Sequence, residues 1–111
     1  MYDMKNMARL AEVERAAPAA MAAFHAFGDA VFADGALSRK TKELIAVAVA
    51  LATQCPYCIE FHSRDARKAG AGDAELAEAA LVAAAIKAGG AVTHAAHLFK
   101  LLRPNAGVAA K

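Results

Sequence analysis

The sequence is poor in several residue types, and each shortage narrows the possible structures. It has no tryptophan, two cysteines, three prolines and two tyrosines in 111 residues. β-Branched residues are scarce outside one segment and strict alternation of apolar and polar residues is absent, so no strand of any length is predicted. The formal net charge is only +2 and no run of lysines and arginines occurs, which makes nucleic acid a poor partner.

Long apolar runs are also missing. The start, MYDMKNMARL, has no continuous apolar region after a basic one, so no secretory signal peptide is predicted. The most apolar run, LIAVAVALA at residues 44–52, has nine residues, about half of the roughly 20 that a helix needs to span a bilayer. We therefore expect a cytoplasmic protein without a membrane partner. In that compartment a CxxC pair is more often catalytic or metal-binding than a static disulfide.

What the sequence does have is an alanine-rich apolar composition. Apolar residues make up 59 % of the chain, above the usual 45–50 % or so, and alanine favours helices and their close approach. The length suits one domain over residues 1–111. We predict an all-α fold, a compact bundle of about six helices. The surplus of apolar residues predicts burial between subunits, and therefore an obligate oligomer.

Caps and turn residues divide the chain into helices. Pro18 can open one helix, Ser38 can cap another, and Gly89-Gly90 is expected to end a further one. The third helix is apolar nearly all round, so it is predicted to be the central, buried one. The predicted helices cover about residues 3–16, 18–32, 38–53, 55–69, 74–88 and 91–102, and residues 104–111 form a frayed tail.

Both cysteines lie in the segment TQCPYCIEFH, residues 53–62. If Cys55 opens the fourth helix, Cys58 falls in the same turn and the two sulfurs can meet, with a Cα separation of about 5–6 Å. The free N–H groups and the positive dipole end of a helix N-terminus favour a thiolate over a thiol. His62 lies one turn beyond Cys58 on the same face, where it can accept the proton of that thiol.

Glu43 is the less obvious member of this group. It shares a helix stripe with Val47 and Ala50, so its carboxylate points along an apolar face and needs a partner. The sensible partner in a helical hairpin is His62, whose imidazole Glu43 would orient and make more basic. Tyr57, inside the CxxC, can offer its hydroxyl to the same network.

The residues by themselves leave other interpretations open. The two cysteines could be inert small hydrophobes, or could hold zinc together with His62 and Glu43, although structural zinc sites usually pair two CxxC motifs. His94 and His97 form an HAAH motif that invites a metal interpretation, but one face of a surface helix often carries such a pair. The phenylalanines of the second helix are expected in the core.

The spacing Glu-x11-Cys-x-x-Cys-x3-His, at Glu43, Cys55, Cys58 and His62, resembles that of the AhpD-like alkylhydroperoxidases. These belong to the carboxymuconolactone decarboxylase superfamily. LSRKTKELIAVAVALATQCPYCIEFHSRDARKAGA is similar to the family core, and GDAELAEAALVAAAIKAGGAVTHAAHLFKLL to its two closing helices. The resemblance thus covers about residues 37–102.

This resemblance implies an all-α fold that assembles as trimers or hexamers, and a thiol peroxidase. Cys58 would be the attacking thiolate, oxidised by a hydroperoxide to a sulfenic acid that Cys55 resolves as a disulfide. Glu43 and His62 would relay the proton. No cofactor and no metal are expected. The reductant would be a dithiol, which in some members of the family is a lipoyl-bearing partner protein.

One position departs from the family pattern and motivates a second hypothesis. Some peroxidase members carry a histidine directly before the second cysteine, where this chain has Tyr57, and a phenol is a poor base at neutral pH. The alternative is a thiol–disulfide exchange protein or redox sensor without significant peroxidase activity. A metal-binding assembly module is a third hypothesis. Lactone decarboxylation is disfavoured, since that branch generally lacks the CxxC.

Overall fold

The computed structural model describes residues 2–106, which form helices joined by short loops and contain no strand. A 3₁₀-helical segment, Met4–Arg9, leads into five α-helices. These are α1 (Leu10–Ala16), α2 (Pro18–Phe32), α3 (Arg39–Thr53), α4 (Pro56–Lys68) and α5 (Asp73–Leu102). The all-α prediction is confirmed.

Local sequence explains where α3 and α4 begin and end. The Ser38 hydroxyl caps α3 by accepting a hydrogen bond from the Thr41 N–H at 3.2 Å. Gln54 ends α3 in the left-handed conformation, with φ 56°. Pro56 occupies the first turn of α4, where its missing N–H is tolerated. Gly70, with φ 98°, follows the end of α4 in a conformation that only glycine adopts easily.

The last helix differs from the prediction. α5 continues from Asp73 to Leu102, so Gly89-Gly90 does not separate two helices. A glycine inside a helix lowers its stability by only about 1 kcal/mol, and the alanine-rich segments on both sides favour continuation. Gly72 is the N-cap of α5, and its N–H donates to Glu75 Oε1 at 3.1 Å.

The buried core lies where α3 meets α4 and α5. α3 packs against both of these helices, as the prediction of a central third helix requires. Buried Val47, Ala66 and Ala71 form the centre, and Leu44, Leu51 and Leu76 pack around them. Because alanines form much of this contact, α3 and α4 lie close together. Polar groups on their facing sides can therefore meet.

The isolated chain is more open than the expected compact bundle. Its radius of gyration is 19.5 Å, against about 13 Å for a compact domain of this length. The half of α5 beyond Gly90 is exposed. Two of the phenylalanines expected in the core, Phe24 and Phe27, are 63 % and 67 % exposed. Apolar surface of this extent typically marks a contact with another molecule.

One described helix, α5, is long and apolar enough to cross a membrane, judged by length and composition only. No apolar segment of this length was predicted from the sequence, because Gly89-Gly90 was expected to divide it into two helices. A helix that packs between subunits can meet the same two criteria. Length and composition therefore do not by themselves place α5 in a bilayer.

Candidate functional site

The centre of the site is a pair formed by Glu43 of α3 and His62 of α4. Glu43 is 1 % exposed and shares its buried stripe with Val47 and Ala50, as its spacing predicted. Its Oε2 lies 2.8 Å from His62 Nδ1, and its other oxygen lies 3.5 Å from Arg39 Nη2. Because a carboxylate only accepts, Nδ1 must carry the hydrogen, which leaves Nε2 as an acceptor in the neutral ring.

A second contact fixes the orientation of the imidazole. The ring of Phe32, in the last turn of α2, stacks on His62 with 5.2 Å between centroids and 17° between planes. The hydrogen bond to Glu43 sets the rotation of the imidazole in its own plane, and the stacking sets the plane. His62 is thus held in one orientation by α2 and α3 together.

The two cysteines lie at the start of α4, as predicted, and both are free thiols. Cys55 is the N-cap, and its sulfur accepts a hydrogen bond from the Cys58 N–H at 3.4 Å. A hydrogen bond from the Cys58 thiol is the main cause that lowers the pKa of Cys55, and backbone N–H groups add to it. The same bond raises the pKa of Cys58, and burial of that thiol acts in the same direction.

These opposite shifts arise from one hydrogen bond between the two thiols. The two cysteines therefore titrate as a coupled pair. Cys55 is favoured for the charge because it sits at the helix N-terminus, where N–H groups point at its sulfur. The raised pKa of Cys58 means that a nearby base would help this thiol to form a thiolate.

An apolar pocket of about 460 Å³ opens beside Cys58 and His62. Its walls come from the end of α2, the following loop and one face of α3, and include Ile45 and Val49. Lys42 also lines it. The arrangement places a thiol and an imidazole at one surface that an apolar molecule can reach.

Tyr57 does not join this network. The prediction that its hydroxyl would hydrogen-bond within the network of Glu43 and His62 is wrong, because that hydroxyl contacts the N-terminal segment. Its hydroxyl accepts hydrogen bonds from Asn6 Nδ2 at 3.0 Å and from the Asp3 N–H at 3.5 Å. Its ring meets Tyr2 edge-on, with 4.8 Å between centroids. The reason is helical geometry, since one residue before Cys58 means a rotation of about 100° around the axis. Tyr57 fastens the N-terminal segment onto α4.

Asp65 is a neighbour of the site that was not predicted from the sequence. One possible ligand atom from each of Glu43, His62 and Asp65 lies within 4.8 Å of the others. Its position three residues after His62 on the same helix is the sequence pattern that could have found it. A metal ion could be held by one imidazole and two carboxylates, but it would have to displace the hydrogen between Glu43 and His62.

The structure does not assemble the zinc site considered from the sequence, and it places the HAAH histidines elsewhere. Within residues 2–106, the one group close enough to hold a metal ion contains neither cysteine, so the four-residue zinc set is not brought together. His94 and His97 lie far along α5, with ring centroids 5.6 Å apart. His94 Nδ1 donates to the Gly90 carbonyl at 2.7 Å, an ordinary contact of an exposed helix side chain.

Sequence comparison relates the chain to known proteins over most of its length. The sequence model of the carboxymuconolactone decarboxylase family matches residues 18–101. "Uncharacterized protein 4 in cox locus" of Paracoccus denitrificans is 52 % identical over 91 residues, which cover 82 % of each chain. An uncharacterized protein of Cupriavidus necator is 41 % identical over 83 residues, covering 68 % of this chain and 72 % of the relative.

Two solved structures share the fold. One is the apo form of a carboxymuconolactone decarboxylase family protein from Legionella pneumophila, 40 % identical, with a TM-score of 0.72 and coverage of 83 % of this chain and 82 % of that one. The other is a protein from Methanobacterium thermoautotrophicum, also 40 % identical with a TM-score of 0.72, covering 77 % of this chain and 96 % of that one.

Proposed function

The chain belongs to the carboxymuconolactone decarboxylase family, and from that membership and the site geometry we propose that it is a CxxC-dependent thiol peroxidase. It reduces hydroperoxides with Cys58 as the attacking thiol, Cys55 as the resolving thiol, and Glu43 and His62 as a proton relay. In this proposal it acts in the cytoplasm as a homo-oligomer, a trimer or a hexamer.

The observation that carries the proposal is that Cys58 and His62 line one apolar pocket while the buried Glu43 holds His62. The hydrogen bond to Cys55, together with burial, raises the pKa of the Cys58 thiol. Attack by Cys58 therefore needs a base on the pocket side, and the free Nε2 of His62 supplies one. The Glu43 carboxylate stabilises the imidazolium that forms.

The chemistry balances with two thiols and one hydroperoxide. The Cys58 thiolate attacks the terminal oxygen of R–O–O–H, so that an S–O bond forms and the O–O bond breaks. RO⁻ leaves and takes a proton from the His62 imidazolium, which gives ROH and a Cys58 sulfenic acid. The Cys55 thiolate then attacks the Cys58 sulfur, and hydroxide leaves and becomes water with one further proton. The products are an alcohol, water and the Cys55–Cys58 disulfide.

Return to the reduced state requires two electrons from a dithiol. A dithiol attacks one sulfur of the disulfide, forms a mixed disulfide, and closes on itself as it releases both cysteines as thiols. The resemblance to AhpD-like proteins favours a lipoyl-bearing partner protein as the carrier of that dithiol.

The second candidate function is thiol–disulfide exchange or redox sensing without peroxide turnover. The lowered pKa of Cys55 favours it, because a thiolate at a helix N-terminus can attack a partner disulfide without using the pocket. The two functions differ in which cysteine is the attacking nucleophile. In the peroxidase Cys58 attacks the hydroperoxide, whereas in thiol–disulfide exchange Cys55 attacks a disulfide of the protein partner.

The deciding experiment is stopped-flow reaction of the reduced protein with cumene hydroperoxide and with hydrogen peroxide. We expect rapid loss of two thiols and the mass of one internal disulfide. Cys58→Ser should abolish the reaction, and Cys55→Ser should leave a sulfenic acid that dimedone traps. The peroxidase mechanism is wrong if both single variants keep full turnover. If the wild-type protein does not react with either peroxide over minutes, thiol–disulfide exchange or redox sensing becomes the better proposal.

A further inference from the structure

Lys42 is the feature of the pocket that the peroxidase chemistry does not use. It is half-buried in the pocket wall. Its neighbours in the first turns of α3 are paired with carboxylates, Arg39 with Glu43 and Lys40 with Glu75. Lys42 makes no ion pair among residues 2–106, and its Nζ donates a hydrogen bond to the carbonyl of Ala33 at 2.5 Å. An ammonium group has three donors, so two of them remain available.

The bond to Ala33 fixes where the ammonium group stands. Ala33 is the C-cap of α2, where the exposed carbonyls and the negative end of the helix dipole attract a cation. The loop then passes over the amine, since a Cβ at Gly35 would lie 3.8 Å from Lys42 Nζ. Nζ is therefore held at the edge of the pocket instead of extending into bulk water.

The reactive thiol lies toward the opposite end of the same pocket. Lys42 and Ala50 both line it, and the helical rise from one to the other, eight steps of 1.5 Å, is about 12 Å. The Cys55 N–H donates to the Ala50 carbonyl at 3.0 Å, so the turn that carries Cys58 starts at that level of α3. The surface between the two ends is apolar, with Ile45, Ala46 and Val49.

We propose that this pocket binds aliphatic carboxylic acids, with the carboxylate on Lys42 and the chain along α3. Under the proposed peroxidase function, on which this part rests, the substrate class is hydroperoxides of such acids, with the peroxide group at Cys58. The physical reason is that a half-buried ammonium without an anionic partner gains a charge-assisted hydrogen bond when a carboxylate arrives. The apolar chain meanwhile removes the side chains of Ile45 and Val49 from water.

The first test measures binding without any peroxide. Reduced protein is titrated with decanoate, with methyl decanoate and with decanol, and amide chemical shifts along α3 are followed by NMR. A hydrogen bond to a charged group contributes about 1.5–3 kcal/mol, so decanoate should bind at least about tenfold more tightly than the two neutral probes. Lys42→Met should remove that preference, and Lys42→Arg should retain it because it keeps the charge.

The second test uses turnover of linoleic acid hydroperoxide and of its methyl ester. The wild-type protein should prefer the acid in kcat/KM, mainly through KM, and Lys42→Met should bring the ratio of acid to ester toward one. The ratio is insensitive to a general loss of folded protein, since both substrates would suffer equally. Thermal melts of Lys42→Met and Lys42→Arg check that both variants fold.

Failure of this inference and failure of the peroxidase function give different results. If neither cumene hydroperoxide nor the lipid peroxides react while decanoate still binds through Lys42, the peroxidase function fails and the carboxylate site stands. If decanoate and its ester bind equally, or Lys42→Met keeps the preference for the acid, the inference is overturned. Absence of binding by every probe also overturns it, and points to a second copy of the chain that covers the pocket.

Discussion

His62 Nδ1 lies 2.8 Å from Oε2 of Glu43, a carboxylate with 1 % of its surface exposed. A buried carboxylate without hydrogen bonds is strongly unfavourable, so this pair holds the two helices in register as well as aiming the imidazole. Arg39, at 3.5 Å from the other oxygen, supplies a second, longer contact from the solvent side. In the proposed mechanism Glu43 is a positioning residue that acts through His62.

We predict that Glu43→Gln slows the reaction of reduced protein with cumene hydroperoxide without unfolding it. The amide oxygen can still accept from Nδ1, but no negative charge then stabilises the imidazolium. The rate of thiol loss should fall by about 10–100-fold, and His62→Ala should lower it by about 10²–10⁴-fold, the usual contribution of a general base. Glu60→Gln is the matched control, since Glu60 bonds Tyr2 and Arg64 outside the pocket. A wild-type rate in Glu43→Gln would eliminate the relay.

Thiolate titration should reveal the proton shared by the two cysteines. The ultraviolet thiolate absorbance of the reduced protein should rise in two steps. The first should come at a pH below that of an ordinary thiol, about 8.5, because the pKa of Cys55 is lowered, and the second above it, because the pKa of Cys58 is raised. Cys58→Ala removes the thiol donor, so the pKa of Cys55 should rise. Cys55→Ala should let the pKa of Cys58 fall.

A shared hydrogen bond is contradicted if Cys55 in the Cys58→Ala variant titrates at the same pH as the first step of the wild-type protein. The helix N-terminus alone would then account for the acidity of Cys55. Mass spectrometry after brief alkylation at a pH between the two steps provides an independent control, since the label should appear on Cys55 first.

Tyr57→Phe should separate packing from chemistry at this position. The variant loses the hydrogen bonds from Asn6 Nδ2 and the Asp3 N–H. The net stabilisation from such bonds is about 0.5–1.5 kcal/mol each. We expect faster proteolysis near the N-terminus, and a peroxide reaction rate within about twofold of wild type. If the peroxide reaction slowed greatly while the N-terminal segment stayed protected from proteolysis, the Tyr57 hydroxyl would belong to the proton network after all.

Glycine substitutions test whether α5 is one continuous helix. A Cβ at Gly89 meets no atom within 4 Å, so Gly89→Ala should raise the free energy of unfolding by about 0.5–1 kcal/mol. Gly70→Ala is the matched control, because it also meets no atom but has φ 98°. There alanine should lower stability by about 1–2 kcal/mol. Denaturant unfolding at one fixed protein concentration gives both values.

A destabilised Gly89→Ala would mean either a break in the helix at that residue or the close approach of another subunit. Circular dichroism of the wild-type protein separates these outcomes. A break at Gly89 predicts a lower helix content than a continuous Asp73–Leu102 helix would give, and the approach of another subunit does not.

Self-association should depend on the exposed half of α5. Val92 and Leu101 are 73 % and 80 % exposed in the isolated chain. We expect a trimer or hexamer by light scattering, and a smaller species when both are changed to glutamate, since burying charge at an apolar contact is unfavourable. Lys100→Glu, on the same helix, is the control for charge alone. A monomeric wild-type protein contradicts self-association, and a protein that stays dispersed only in detergent points to α5 in a bilayer.

The sequence predicted much of the site because helical spacing is a local property. Cys55, Cys58 and His62 recur at three- and four-residue intervals, which places them on one face of α4. Glu43 was found because a carboxylate on an apolar stripe must have a partner. Asp65 was missed because its distance to Glu43 depends on how α3 packs against α4.

The sequence by itself determined the all-α fold, the starts of α3 and α4 and the face of α4 on which Cys58 and His62 stand, because propensity and spacing act within a few residues of the chain. Tertiary structure decided what depends on packing between distant segments. Glu43 of α3 meets His62 of α4, Phe32 of α2 stacks on that imidazole, and the N-terminal segment packs on Tyr57. It also placed Lys42 beside the pocket, since that position needs the end of α2 to fold back over α3.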